Sequence, residues 1–140
     1  MGSPNTDFNL MEVVSKKIQP PNCDLTLQIE VTDADNGNAK GTWRVDDRFL
    51  NGIGITMGGF VSSAADIMMA YAIASKLDNG KTFTSIDLHT TFHRPVLPGE
   101  VTVEAKVERM GKRTAYLTAE LIQNDKKTAS VVSSVMILDR

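Results

Sequence analysis

One long helix laid against a largely antiparallel β-sheet, an α+β arrangement, is the fold class this sequence predicts. Three observations lead to it. The longest apolar stretch, from Gly58 to about Lys76, carries its residues at helical spacing. Segments before and after it alternate apolar and polar side chains with the period of a strand. The gaps between those segments are short and rich in Gly, Asn and Pro, as antiparallel neighbours require. A sheet with one apolar face and a helix with an apolar stripe bury those surfaces against each other.

Taken in order, Phe8, Met11, Val14 and Ile18 predict a helix that Pro20-Pro21 ends. Leu25, Leu27, Ile29 and Val31 alternate with Thr26, Gln28, Glu30 and Thr32, so this stretch reads as a strand, with Cys23 in or beside it. Asp35-Asn36-Gly37 is a tight turn, because Asn-Gly accepts the positive φ such turns need. Ala39 to Val45 returns, anchored by Trp43. A loop from Asp46 to Thr56 leads into the central helix, roughly 27 Å long at 1.5 Å per residue, and Asp78-Asn79-Gly80 stops it. Four further strands follow: Phe83 to His93, Glu100 to Arg109, Thr114 to Gln123 and Ala129 to Leu138. Hairpin-length gaps at Pro95 to Gly99, Gly111 and Asn124-Asp125 imply that neighbours pair antiparallel.

The central helix holds one acid. Phe60, Ala64, Ile67, Tyr71 and Ala74 fall on one side, while Ser62, Ser63, Asp66 and Ala70 form a smaller, more polar side. An ionised carboxylate buried without compensation costs several kcal/mol or more, so Asp66 belongs at an interface or cleft unless it faces a wet stripe.

The chain has 140 residues and a formal charge of -2. One domain of this size buries roughly two thirds of the surface its unfolded form exposes. Residues 1–21 read as a tag remnant, Met1-Gly2-Ser3, and a variable helix, with one domain over residues 22–140. A single cysteine excludes an intrachain disulfide framework and suits a reducing compartment, so a cytoplasmic location is expected. Balanced charge gives no phosphate-backbone footprint, which argues against nucleic acid. The helix is too short and interrupted to span a membrane, and the N-terminal residues lack the pattern of a signal peptide. There is no phosphate loop, dinucleotide fingerprint, zinc-protease helix or nucleophile elbow. His89 and His93, about 13 Å apart on one strand face, make no ready metal pair, so no metal is expected.

Asn51 in the approach loop, Gly58-Gly59 at the helix start and Asp66 two turns later could carry chemistry. Amides at a helix start have no internal partner and can polarise a carbonyl, while a carboxylate activates water or attacks directly. Gly58 and Asp66 are about 12 Å apart along the axis. Two antiparallel helices side by side would close that gap, which points to a dimer.

Asn51-Gly52-Ile53-Gly54-Ile55-Thr56-Met57-Gly58-Gly59 followed by Asp66 resembles the Asn-x-x-Gly-x-x-His-Gly-Gly-x6-Asp pattern of hotdog-fold thioesterases of the phenylacetate-degradation type. The likeness continues through Ser85-Ile86-Asp87-Leu88 and Phe92-His93-Arg94-Pro95-Val96-x-Pro98-Gly99-Glu100, and covers the chain from about Asn22 onward. The resemblance implies a curved antiparallel sheet wrapped around the central helix and cleavage of acyl-coenzyme A thioesters. It also implies a homodimer sharing two active sites, or a homotetramer. Asn51 and the Gly58 amide, with Gly59 assisting, match the carbonyl-positioning elements of one protomer. Asp66 matches the nucleophile or general base, and Ser85 a supporting group, of the other.

Met57 stands where the pattern has His. Methionine fills the volume but cannot donate the same hydrogen bond. That substitution motivates a rival reading, a noncatalytic acyl-CoA or hydrophobic-ligand binder. A dehydratase is less favoured because its histidine is missing from the central segment, and a purely structural dimer is the blandest alternative. Coenzyme A is expected as substrate carrier and not as a retained cofactor. Arg94, Lys112 and Arg113 are candidate contacts for its phosphates, each also readable as solvent-facing charge.

Overall fold

The computed structural model describes residue 5 and residues 7–140. The tag remnant read at Met1-Gly2-Ser3 lies outside the described residues. Helix α1 (Leu10–Val14) is capped by Asn9, whose side chain accepts the Met11 amide at 2.9 Å. It is shorter than the periodicity predicts, because Lys16 turns left-handed at φ 65° and the Lys17 amide bonds back to the Glu12 carbonyl.

The expected strand from Leu25 is corrected. Asn22–Leu27 is a second helix, α2, with Pro21 before its first turn and Gln28 ending it at φ 63°. Proline has no amide to donate, which suits a helix start. The apolar-polar alternation over Leu25 to Gln28 is too short to distinguish helix from strand. Cys23 is therefore an exposed helical residue.

Strand β1 (Ile29–Asp35) turns through Asn36 and Gly37, at φ 49° and 85°, into β2 (Asn38–Val45). Both central residues sit in the left-handed region that Asn-Gly is chosen for. Trp43 is fully buried, and its ring leads through Phe49 (centroids 6.1 Å) to Phe60 (4.9 Å from Phe49) on helix α3 (Gly58–Ala74).

After α3 come β3 (Lys81–Ser85), β4 (His89–Phe92), β5 (Gly99–Met110), β6 (Thr114–Gln123) and β7 (Lys126–Asp139). The seven strands form one antiparallel sheet in the order β1-β2-β5-β6-β7-β3, with β4 also on β7. Two expectations change here. The strand read over Phe83 to His93 breaks at Asp87, whose side chain accepts the Ser134 amide (2.8 Å) and whose carbonyl accepts the Ser133 hydroxyl (2.7 Å). Nor do β4 and β5 form a hairpin: β4 pairs with β7, while β5 runs between β2 and β6. The prolines of 93–98 carry a crossing connection.

Every strand touches α3, so the curved sheet wraps the helix as the resemblance implies. Val61, Ala64, Ala65, Met68, Met69, Ala72 and Ile73 are buried against Trp43, Val101, Val103, Leu117, Leu121 and Val131. Because the sheet covers several sides of the helix, the buried stripe is wider than the sequence suggests and centred differently. Ile67, expected on the apolar side, joins Ser62, Ser63, Asp66 and Ala70 on the one half-exposed strip. No helix among the described residues is long and apolar enough to cross a membrane.

Candidate active site

The approach loop is built on Asn51. Its side-chain oxygen accepts the amides of Ile53 (3.0 Å) and Ile55 (3.3 Å), and its own amide donates to the Ile55 carbonyl at 2.7 Å. Those bonds fix which end of the carboxamide is oxygen, leaving the NH2 group to donate outward. The Thr56 amide donates to Val96 and the Met57 amide to Phe49, which fastens the loop to the start of α3.

At that start, Phe60 and Val61 donate to the Met57 carbonyl, whereas the Gly58 and Gly59 amides find no acceptor among the described residues. The Met57 side chain does not cap the helix. Its methyl lies 3.1 Å from where a Cβ on Gly59 would stand, so it folds over the second glycine. Two unpaired N–H groups at a helix N-terminus are suited to an oxygen that gains negative charge.

Asp66 sits on the half-exposed strip two turns later. Ser85, at the end of β3, pairs with the buried Val135 and so faces inward toward α3. Burial raises the Asp66 pKa above the ordinary carboxylate value, and the Ser85 hydroxyl, donating toward it, pulls the other way. The fold thus brings Asp66 and Ser85 together within one chain. It does not bring Asp66 to Gly58, which stands eight residues and about 12 Å away along the same axis.

The three candidate phosphate contacts also separate. The Arg94 amide donates to the Thr128 carbonyl, while the Arg113 carbonyl accepts from Ile137, nine residues further along β7. At strand rise that is about 30 Å, so Arg94 lies at one end of the sheet and Lys112 and Arg113 at the other. In a single chain they are not one patch.

His93 shares a hydrogen bond of 2.9 Å with Ser130, and His89 lies 4.0 Å from Asp87. No group of three His, Cys, Asp or Glu side chains among the described residues could hold a metal ion.

Two features escaped the sequence. The Ser62 and Thr90 hydroxyls are hydrogen-bonded at 2.6 Å, tying β4 to α3. Nothing in a lone threonine signals this. Asp24 in α2, only 2% exposed, accepts the Tyr71 hydroxyl at 2.5 Å and the Cys23 thiol at 3.4 Å. Burial raises the pKa of both Asp24 and Tyr71. Tyr71 amid apolar neighbours is the one hint, since a buried tyrosine needs a partner for its hydroxyl.

A family model described as Thioesterase superfamily matches residues 53–130. The structure of the Escherichia coli PaaI protein from the phenylacetic acid degradation operon superposes with TM-score 0.82 at 26% identity, covering 96% of both chains. A phenylacetic acid degradation-related protein from Ralstonia eutropha JMP134 superposes at 0.87 with 24% identity, covering 92% of this chain and 99% of that one, a likeness of fold. A Pseudomonas aeruginosa protein named as an esterase is 27% identical over 62% of this chain and 66% of its own length, just under two thirds.

Proposed function

This chain belongs to the thioesterase superfamily, and from that premise we propose that it hydrolyses acyl-coenzyme A thioesters to the free acid and coenzyme A. The observation that carries the reading is that one helix holds both two unpartnered amides, at Gly58 and Gly59, and, two turns on, a half-buried carboxylate at Asp66. The amides take the oxyanion as the carbonyl is attacked. Asp66 either removes a proton from the attacking water or attacks the carbonyl itself, giving an acyl anhydride that water then opens. A raised pKa suits a base working near neutrality. The outward NH2 of Asn51 orients the thioester or the water, and Ser85 holds the carboxylate.

The working unit is a homodimer, or a tetramer built of such dimers, with Asn51 and Gly58 from one protomer and Asp66 and Ser85 from the partner. The 12 Å gap along α3 supports this, as do the exposed apolar side chains of Ile86 and Leu88 just before β4. Arg94 serves one end of the ligand path and Lys112 and Arg113 the other. Their separation allows a single coenzyme A to use both only if they come from different protomers.

Free-thiol release from a panel of short, medium and aromatic acyl-CoA esters, run beside a solution mass measurement, tests the reading. Hydrolysis by an assembled protein supports it. A folded, assembled protein inert across the panel defeats it, as does a monomer with full activity in the case of the shared site. The second reading, a binder without turnover, rests on Met57, whose methyl covers Gly59 and which supplies no hydrogen-bond donor. Tight retention of intact acyl-CoA over long incubation favours that alternative.

A further inference from the structure

Resting on the thioesterase reading, we propose that Phe92 is a positioning residue of the site and that Gly58 is glycine because the Phe92 ring rests on it. The register of β4 sets this up. Phe92 pairs with Ala129 and Thr90 with Val131, both fully buried, so Thr90 and Phe92 point inward to α3 while His89 and Thr91 point away. Two residues of strand cover about 6.6 Å, and four residues of helix about 6 Å. That match lets Thr90 meet Ser62 at 2.6 Å and Phe92 meet Gly58, one turn nearer the helix start.

The contact is close. A Cβ on Gly58 would stand 2.8 Å from Cζ of Phe92 and 3.2 Å from its Cε1, so any side chain there displaces the ring. Phe92 is nonetheless 55% exposed. The tip of the ring is held against Gly58, whose N–H is free, and on this proposal the exposed remainder flanks the carbonyl oxygen that the amide receives. A phenyl in that position shields the amides from water and fixes the side from which a thioester approaches. Exclusion of water strengthens each hydrogen bond to the developing oxyanion.

The test is a double-mutant cycle on Gly58→Ala and Phe92→Ala, with Phe92→Leu as a gentler second variant. Gly58→Ala keeps the backbone amide, so its loss, expected at tenfold or more in kcat with KM changed less than threefold, reports the displaced ring. Adding Phe92→Ala removes the clash, and the double variant is expected to be no slower than Phe92→Ala alone. Phe92→Leu should lower kcat less than Phe92→Ala. Thermal midpoints and solution mass are measured on each variant, since a merely structural role lowers stability and leaves turnover per assembled site unchanged.

A second readout keeps the two readings apart: affinity for a dethia ketone analogue of acyl-CoA, which keeps the carbonyl and cannot be hydrolysed, against the thioether that lacks it. Preference for the ketone that falls in Gly58→Ala and returns in the double variant supports the proposal even where turnover is slow. Active wild type whose two substitutions reduce kcat additively overturns the role of Phe92 and leaves the thioesterase reading standing. Wild type that neither hydrolyses thioesters nor binds either analogue overturns both.

Discussion

Two carboxylates meet helix α3, and burial raises the pKa of each. Asp24 reaches it from α2, is almost wholly enclosed, and has both oxygens occupied, one by Tyr71 and one by Cys23. Asp66 grows from α3 itself, lies on the strip that the sheet leaves open, and among the described residues has the Ser85 hydroxyl as its one side-chain partner. Desolvation is therefore common to both and distinguishes neither. On the proposed function, what separates the structural acid from the reactive one is whether an oxygen remains free and can be approached.

The sharpest way to break this comparison is Asp66→Asn. The amide keeps the size and removes the proton acceptor, so kcat should fall by roughly 10²–10⁴ while the thermal midpoint stays near that of wild type. Near-normal turnover in an assembled Asp66→Asn protein would place the chemistry elsewhere.

At Asp24 the pattern should invert. Tyr71→Phe strips the stronger partner from a buried carboxylate and should cost about 1–3 kcal/mol of stability with kcat per folded site unchanged. Urea unfolding and single-turnover assays on the same sample measure both. A loss of activity without loss of stability would move Asp24 and Tyr71 into the reaction.

The raised pKa of Asp24 fixes a sign for pH. The folded state holds the proton to higher pH than the unfolded chain does, so this group's contribution is fully present below the unfolded value near 3.8. It is lost as pH rises through the folded value. Asp24→Asn should remove that slope: wild type gains stability relative to the variant on acidification through this window. Parallel curves would show that the group does not titrate with folding.

Ser85→Ala is the smaller test at the other acid. Since the Ser85 hydroxyl lowers the Asp66 pKa against burial, its loss should shift the acid limb of kcat/KM to higher pH. The plateau should fall by about tenfold, the low end of what one hydrogen bond to a charged carboxylate contributes, about 1.5 kcal/mol. Smallest of all is Lys40→Ala, which breaks an exposed 3.5 Å pair with Glu104 on the outer face and should stay within about 0.5 kcal/mol.

The acid proposed to react stands out in the sequence and the structural one does not, for a physical reason. Asp66 interrupts a long helical period, so its context is local and readable. Asp24 becomes buried only because α2 folds against Tyr71, forty-seven residues on. The same contrast runs through the fold. The Asn36-Gly37 turn, the burial of Trp43 and the alternation of β5 and β6 are set by near neighbours, and the local pattern carries them. The α2 helix, the break at Asp87 and the pairing of β4 with β7 depend on contacts distant in the chain, which the local pattern does not carry. At the site, Asn51 and the glycines were visible as a motif, whereas the seat of Phe92 on Gly58 follows from the register of β4 against β7.

Strand β7 has one more consequence, in time. Among the described residues β3 and β4 pair only with β7, so until residues 126–139 leave the ribosome both stand with bare edges beside a helix whose apolar surface is incompletely covered. Closure around α3 waits on contacts of long sequence separation, which makes them slow to form. A nascent chain halted near Asn124 should accordingly bind chaperones or aggregate, and amide exchange in refolding protein should find β1 and β2 protected before β3 and β4.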